Sequence, residues 1–156
     1  MDQESGGPPD VSRPAGNGAV TESGAAVSGP RGQGGGRAVL VIEDEPNISE
    51  AIRFILRRDG WMVMTHADGH DALDKIEAVR PALVILDVML PGRSGFEILR
   101  AMRELAALRL VPVLMLTAKG QSADRDLAMQ AGASLFMAKP FSNTELLASV
   151  RQLVGA

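Results

Sequence analysis

Apolar residues are concentrated in five short runs, and the segments that follow these runs carry apolar residues at helical spacing instead. Short apolar runs bounded by turn residues are typical of buried strands. Strands that alternate with helices predict an α/β fold, here a doubly wound five-stranded parallel sheet covered on both faces. The predicted strands are 38–42, 61–66, 83–87, 110–120 and 134–138, and the predicted helices run from Pro46 to Gly60, from a cap at Asp68 to Pro81, from Ser94 to about Leu108, from about Ala123 to Ala131, and from Ser142 through Leu153.

The third run, within LVILDVMLPGRSG at 83–95, is the most apolar strand in the sequence and ends in an acid, Asp87. An unpaired aspartate in a core is costly, so Asp87 is expected at the carboxyl end of its strand, where parallel sheets bind their ligands. Pro91 and Gly92 suit a tight turn, and Ser94 with Glu97 forms a capping box for the next helix. Taken alone, the motif fits a functional carboxylate and a structural turn residue about equally well.

Other predicted strands also end in polar residues. Glu43 and Asp44 follow the first strand, Thr117 lies near the end of the fourth, and Lys139 follows the fifth. Alone, the two adjacent acids have an ordinary explanation, because carboxylates at a helix start complement the helix dipole. The carboxyl ends of parallel strands meet at one rim, however, so these four side chains are expected to lie near Asp87.

The chemistry of this predicted cluster favours a bound cation. Three carboxylates in close proximity raise one another's pKa unless a positive charge lies among them. Mg²⁺ is the expected ion, because it accepts one or two carboxylates together with water and phosphate oxygens. Lys139 adds a positive charge and Thr117 a hydroxyl donor, which are groups that stabilise a phosphoryl group during transfer. Since a carboxylate can itself accept a phosphoryl group, Asp87 is the predicted nucleophile.

Composition and charge limit the remaining possibilities. Residues 1–36 are rich in Gly, Pro and Ser and lack periodicity, which predicts a disordered tail before a folded domain at 37–156. The tail holds four of the 19 acids and two of the 16 bases, so the domain has 15 acids and 14 bases and gives no electrostatic reason to expect nucleic acid or an anionic membrane as a partner. The absence of cysteine excludes disulfides, thiolate metal sites and cysteine nucleophiles. Without a secretion signal or a long apolar run, the protein is predicted to be soluble and cytoplasmic.

Four motifs occur in a fixed order: VLVIEDEP, LVILDVMLPGRSG, LMLTAKG and MAKPF. Asp87 and Thr117 are 30 residues apart, and Thr117 and Lys139 are 22 residues apart. Each motif alone is weak, but the ordered set is specific, and 37–156 resembles the receiver domain of two-component response regulators, in the stand-alone form typified by CheY. The resemblance implies a flavodoxin-like fold with strand order 2-1-3-4-5. It also implies that the phosphoryl group comes from a histidine of a sensor kinase or of a phosphotransfer protein.

The resemblance assigns metal ligands residue by residue. By this correspondence Asp87 is the phosphoacceptor, and Asp44, Asp87 and the backbone carbonyl of Met89 would bind Mg²⁺ directly. Glu43 would assist through water. Glu43 stands where the family more often has Asp, which leaves room for the metal but can alter its geometry.

The resemblance also assigns the groups around the phosphoryl oxygens. Thr117, Ala118 and Lys139 would hold the phosphoryl group, and Phe136 would be the switch aromatic that turns inward when Thr117 moves toward the phosphate. Because this residue is Phe rather than Tyr, any hydroxyl contact made by Tyr-bearing relatives is missing. The Lys139–Pro140 bond is expected to be cis. The fourth helix, fifth strand and fifth helix would form the surface whose shape reports phosphorylation to a downstream protein.

Two other functions compete with this interpretation. A phosphatase of the haloacid dehalogenase type also uses a strand-end Asp and Mg²⁺. Its general acid would stand at Met89, whose side chain has no ionisable proton to donate. The chain is therefore predicted not to be an enzyme beyond its own phosphorylation and slow dephosphorylation. An adaptor with a receiver fold that accepts no phosphate is the second alternative. Because the sequence stops at Ala156, just after the fifth helix, the expected output is binding to another protein or relay of phosphate to a histidine.

Overall fold

The structure is a computed structural model that describes residues 38–118 and 122–154. The predicted disordered tail lies outside the described residues and stays a prediction. Within the described part, none of the helices is both long and apolar enough to cross a membrane.

Within residues 38–118 and 122–154, five strands and five helices alternate, and the strands form one parallel sheet. The sheet order is β2-β1-β3-β4-β5, which confirms the predicted flavodoxin-like order 2-1-3-4-5. The elements are β1 Ala38–Ile42, α1 Pro46–Arg58, β2 Met62–His66, α2 Ala72–Val79, β3 Leu83–Asp87, α3 Gly95–Glu104, β4 Val113–Ala118, α4 Ser122–Ala131, β5 Leu135–Lys139 and α5 Asn143–Val154.

The alternation of side chains along the central strands divides the core into two layers. On β1, Leu40 faces the layer that contains α2, α3 and α4, whereas Val41 faces the layer that contains α1 and α5. Every residue of β3 is buried. Burial of one such large apolar side chain stabilises the folded state by about 1.5–3 kcal/mol relative to leaving it exposed. With both faces of β3 covered by apolar residues, the strand meets water only at its ends, and Asp87 occupies the carboxyl end.

The local signals at three helix starts are confirmed. Pro46 is the first residue of α1, although Glu45 at the N-cap makes no side-chain capping bond. Ser94 forms the predicted reciprocal capping box at the start of α3. Ser142 forms the equivalent pair of hydrogen bonds at the start of α5, with Glu145.

Helix α3 ends at Glu104, so the predicted end near Leu108 was wrong. The next residues form turns, and their carbonyls bond to a side chain from the preceding helix: Arg103 donates to the carbonyls of Leu108 (3.5 Å) and Val111 (2.7 Å). These contacts satisfy backbone groups that a continued helix would satisfy itself. Strand β4 accordingly begins at Val113 and not at residue 110.

Two other strand boundaries differ by one residue from those predicted. Strand β2 begins at Met62, and Trp61 lies buried just before it. Strand β5 is shifted so that it includes Lys139 and excludes Ser134, whose hydroxyl accepts a hydrogen bond from Val113 N–H at 3.0 Å. The shift puts Lys139 at the last position of the strand.

The predicted cap of the second helix at Asp68 was also wrong. The carboxylate of Asp68 accepts from the backbone N–H of His70 at 2.8 Å in the preceding turn, and Asp71 occupies the N-cap. Asp71 Oδ1 lies 2.7 Å from His66 Nε2, and this hydrogen bond lowers the pKa of Asp71. The two acids therefore organise the β2–α2 loop jointly.

The methionines of the described residues lie both in the core and at the surface. Buried examples lie on α3, β4 and β5, whereas those on β2, after β3 and on α4 have large exposed fractions. Exposed methionines are common at adaptable contact surfaces. The buried residues are Met102, Met115 and Met137, and the exposed ones are Met62, Met64, Met89 and Met129.

Candidate functional site at the carboxyl rim of the sheet

Asp87 lies at the centre of the rim, because β3 pairs with β1 on one side and β4 on the other. Its residue surface is 3% exposed. Helix α3 starts directly behind it at Gly95, whose N–H donates to the carbonyl of Val88 at 2.9 Å. A Cβ atom at Gly95 would collide with the backbone carbonyl of Asp87. Glycine at this position therefore allows α3 to close the back of the site.

Three carboxylates converge here, as the sequence predicted. One oxygen from each of Glu43, Asp44 and Asp87 lies within 4.8 Å of the others. Glu43 and Asp87 are buried, and Asp44 is exposed to solvent. The cluster therefore has a buried floor and an open side through which an ion or a phosphoryl group can enter.

Lys139 bridges the two buried carboxylates. Its Nζ lies 3.2 Å from Glu43 Oε1 and 3.2 Å from Asp87 Oδ1. Lys139 is the last residue of β5 and pairs with Ala118 at the end of β4, so its side chain starts from the carboxyl rim of the sheet. Burial lowers the pKa of Lys139, but the charges of Asp87 and Glu43 outweigh that effect and raise its pKa overall. The ammonium group is therefore charged at neutral pH.

Burial is the largest influence on the pKa of the two buried carboxyl groups, Glu43 and Asp87. It raises the pKa of Asp87, although the Lys139 charge and the backbone N–H of Met89 offset part of the increase. Burial likewise raises the pKa of Glu43, which the N–H of Glu45 counteracts by donating to Glu43 Oε2 at 3.0 Å. One ammonium group faces three carboxylates, so the site has surplus negative charge. An all-oxygen donor set with surplus negative charge and an open side fits a hard divalent cation such as Mg²⁺.

Thr117 lies near the end of β4, on the same rim, and is 1% exposed. Its Oγ1 donates to Asp124 Oδ2 on α4 at 2.9 Å. Sequence reasoning missed Asp124. An acid in the first turn of a helix is ordinary, and no spacing rule connects it to a residue of the preceding strand. The role of Asp124 at this rim was therefore found from the structure and not from the sequence.

The remaining predicted residues lie around the cluster. The Met89 side chain is 73% exposed, and its backbone N–H contacts the Asp87 carboxylate. Ala118 is exposed at the end of β4, and its small side chain leaves the rim accessible. Phe136 is partly buried and packs against the core layer of α2, α3 and α4. The peptide bond between Lys139 and Pro140 is cis, which confirms that prediction.

An apolar groove of about 480 Å³ opens beside the cluster, between α1 and the start of the segment that follows β5. Ala118 and Lys139 form its end nearest to the carboxylates. The groove therefore continues the rim outward along α1. The rest of its lining is apolar at Ile48, Ala51, Ile55, Pro140 and Phe141 and polar at Asn47 and Asn143.

A 2-1-3-4-5 parallel sheet with an acidic cluster and a lysine at its carboxyl rim defines a signalling domain of the receiver class. Comparison with protein families agrees with this class: the sequence model of the response regulator receiver domain matches residues 39–151. The chain belongs to the response regulator receiver domain family of two-component systems.

Solved structures of receiver domains resemble this chain over nearly their whole length. A response regulator from Chloroflexus aurantiacus is 31% identical, with a TM-score of 0.75, over 78% of this chain and 99% of that one. The chemotaxis response regulator CheY4 of Vibrio cholerae is 30% identical, with a TM-score of 0.71, over 76% and 98%. The receiver domain of a sensor histidine kinase from Pseudomonas aeruginosa is 33% identical, with a TM-score of 0.71, over 78% and 99%, and holds a magnesium ion in its active-site cleft.

Proposed function

We propose that this protein is a phosphorylation-dependent switch that accepts a phosphoryl group on Asp87 from a histidine of a sensor kinase or phosphotransfer protein. The observation that carries the proposal is the contact of Lys139 Nζ with Asp87 Oδ1 inside a cluster of three carboxylates. A buried strand-end carboxylate with one oxygen against an ammonium group is suited to form an acyl phosphate and to hold it.

The transfer forms one bond and breaks one. A carboxylate oxygen of Asp87 attacks phosphorus, the P–N bond of phosphohistidine breaks, and the bonding electrons leave with the imidazole nitrogen. Lys139 stabilises the charge that develops on the phosphoryl oxygens, and the Thr117 hydroxyl is a donor for one of these oxygens. Mg²⁺ held by Asp44, Asp87 and the Met89 carbonyl, with Glu43 assisting, would supply further neutralising charge.

Incubation with acetyl phosphate tests the proposed function directly. Intact mass should show one added phosphoryl group with Mg²⁺ and none when the divalent ion is chelated, because the carboxylates otherwise repel the donor. Beryllofluoride, which mimics the phosphoryl group, should likewise change the amide NMR spectrum of the protein only with Mg²⁺. If neither reagent acts, the protein is an adaptor with a receiver fold.

Mg²⁺ itself should stabilise the fold. At ten times its dissociation constant, bound Mg²⁺ is expected to raise the melting temperature by about 5 °C, because it binds the folded state and not the separated carboxylates of the unfolded chain. Asp44→Asn removes a proposed ligand and should abolish most of this rise. Asp74→Asn, on the exposed side of α2, is the control and should keep it. A rise that survives Asp44→Asn would place the ion elsewhere.

We further propose that the phosphorylated state persists and that the protein is not an esterase. Turnover needs a proton donor for the leaving group, and the side chain two residues after Asp87 is that of Met89. Persistence is what a signal requires. Rapid turnover of small phosphate esters would instead support the phosphatase alternative.

We propose that the histidine donor docks in the apolar groove along α1, because this groove ends at Ala118 and Lys139 beside the phosphoacceptor. A donor must bring its phosphohistidine to the same rim, so a surface continuous with the rim is placed to hold it. We propose the face of α4, β5 and α5 as the surface presented to a downstream protein.

We propose that the protein is located in the cytoplasm. A chain without cysteine forms no disulfides, and disulfides rarely persist in that compartment.

Ala51→Arg tests the docking groove. Ala51 is exposed on α1, so a long charged side chain there blocks the groove without disturbing the core. Transfer from a phosphorylated histidine donor is expected to slow at least about tenfold, the effect of about 1.4 kcal/mol at an interface. Phosphorylation by acetyl phosphate should be unchanged.

Ala78→Arg is the matched control, since Ala78 is an exposed alanine on α2, away from the groove. It should leave transfer from both donors at the wild-type rate. Equal slowing by Ala51→Arg and Ala78→Arg, or slowing with acetyl phosphate as well, would contradict docking in the groove.

A further inference from the structure

The hydroxyl of Thr117 is bonded to a residue outside the carboxylate cluster. Oγ1 donates to Asp124 Oδ2 at 2.9 Å, and Asp124 lies in the first turn of α4. Thr117 is 1% exposed, whereas Asp124 is partly exposed. A buried hydroxyl needs a hydrogen-bond partner, and here the partner is on α4, a helix of the proposed output face.

A threonine hydroxyl carries a single hydrogen and can donate to one acceptor at a time. If Thr117 donates to a phosphoryl oxygen on Asp87, it cannot also donate to Asp124. Asp124 and the phosphoryl group are therefore alternative acceptors for the same proton. Occupation of one excludes the other.

We propose that Asp124 is a latch that holds the switch in its unphosphorylated state, by competing with the aspartyl phosphate for the Thr117 hydroxyl. This inference rests on the proposed function of Asp87. Asp124 is thus a positioning residue, acting through Thr117 on the stability of the phosphorylated state.

The buried Thr117 and the partly exposed Asp124 can both keep hydrogen-bond partners when the latch opens. When Thr117 turns to the phosphoryl group, its buried hydroxyl exchanges one acceptor for another and stays satisfied. Asp124 loses its donor, but as a partly exposed carboxylate it regains water. The same exchange releases the first turn of α4 from β4, which couples the chemistry at Asp87 to the position of this helix.

Beryllofluoride binding in the presence of Mg²⁺ measures the latch. Asp124→Ala removes the competing acceptor and is expected to tighten binding about fivefold, the effect of one hydrogen bond on the equilibrium between the two states. Asp126→Ala removes the same charge from an exposed position of the same helix and should leave the affinity at the wild-type value. No change in Asp124→Ala, or an equal change in Asp126→Ala, would overturn the latch.

A double-mutant cycle shows whether Asp124 acts through Thr117. In a Thr117→Val background, the hydroxyl is gone, so adding Asp124→Ala should change beryllofluoride affinity no further. A fivefold tightening that persists in this background would overturn the latch and indicate a general charge effect. The same cycle on thermal unfolding, without any phosphoryl mimic, should show the two substitutions to be non-additive, and additive effects would mean that the two side chains do not interact.

These results separate the latch from the function on which it rests. If the wild-type protein and all variants fail to bind beryllofluoride with Mg²⁺, the proposed switch function falls, and the latch falls with it. If the wild type binds and Asp124→Ala binds no better, only the latch is wrong. Asp124→Asn retains an acceptor oxygen without the charge, and tightening smaller than that of Asp124→Ala supports the hydrogen bond.

Discussion

Asp87→Asn is expected to abolish phosphorylation by both acetyl phosphate and a phosphohistidine donor. The amide oxygen is a far poorer nucleophile than a carboxylate oxygen, and it carries no charge to bind Mg²⁺. Glu43 also contacts Lys139, but its other oxygen accepts from the backbone N–H of Glu45 at 3.0 Å, so it is not expected to replace Asp87 as the acceptor. Intact mass after incubation with each donor measures the result.

The loss should occur without unfolding. Asp87 is buried, and burial raises its pKa, which means that its ionised form is disfavoured in the folded protein. The neutral amide removes that cost, so the variant should melt at or above the wild-type temperature when divalent ions are chelated. Asp74→Asn is the matched control and should be phosphorylated normally. Full phosphorylation of Asp87→Asn at another residue would refute the assignment.

The central strands were predictable because their sequences leave few alternatives. LVILD is apolar up to its final residue, and burial on both faces follows from a parallel sheet with helices on each side. Once the strands are parallel and ordered, Glu43, Asp44 and Lys139 must reach the same rim as Asp87. The carboxylate cluster therefore followed from strand ends alone, without knowledge of side-chain conformations.

The end of α3 and the contact of Thr117 with Asp124 were not predictable, because both depend on how separate elements lie against one another. Leu108 continues the helical spacing of α3, but Arg103 satisfies the carbonyls of the turn that replaces it, and this bond spans residues whose proximity depends on the fold. The contact of Thr117 with Asp124 likewise depends on where α4 starts relative to β4. Sequence spacing reports which residues share an element, whereas these contacts join separate elements.

The roles of Lys139 and of the divalent ion overlap, because both neutralise the same carboxylates. Lys139→Met keeps an apolar stem of similar length and removes the charge. Without Mg²⁺, the buried Glu43 and Asp87 then face each other with no counter-charge, and the free energy of unfolding is expected to fall by about 2–4 kcal/mol. With saturating Mg²⁺ most of this loss should be recovered, because the ion replaces the missing charge.

The same substitution should separate ion binding from signalling. Removal of a competing cation is expected to tighten Mg²⁺ binding about tenfold, as measured by titration of the melting temperature. The response of α4 and α5 to beryllofluoride, followed by amide hydrogen exchange, should nevertheless be lost, because Lys139 is the described cation that links β5 to Asp87. Lys75→Met on α2 is the control, and should change neither stability nor ion affinity. Destabilisation of Lys139→Met that is equal with and without Mg²⁺ would mean that the lysine is a packing residue, and that the charge balance of the rim does not depend on it.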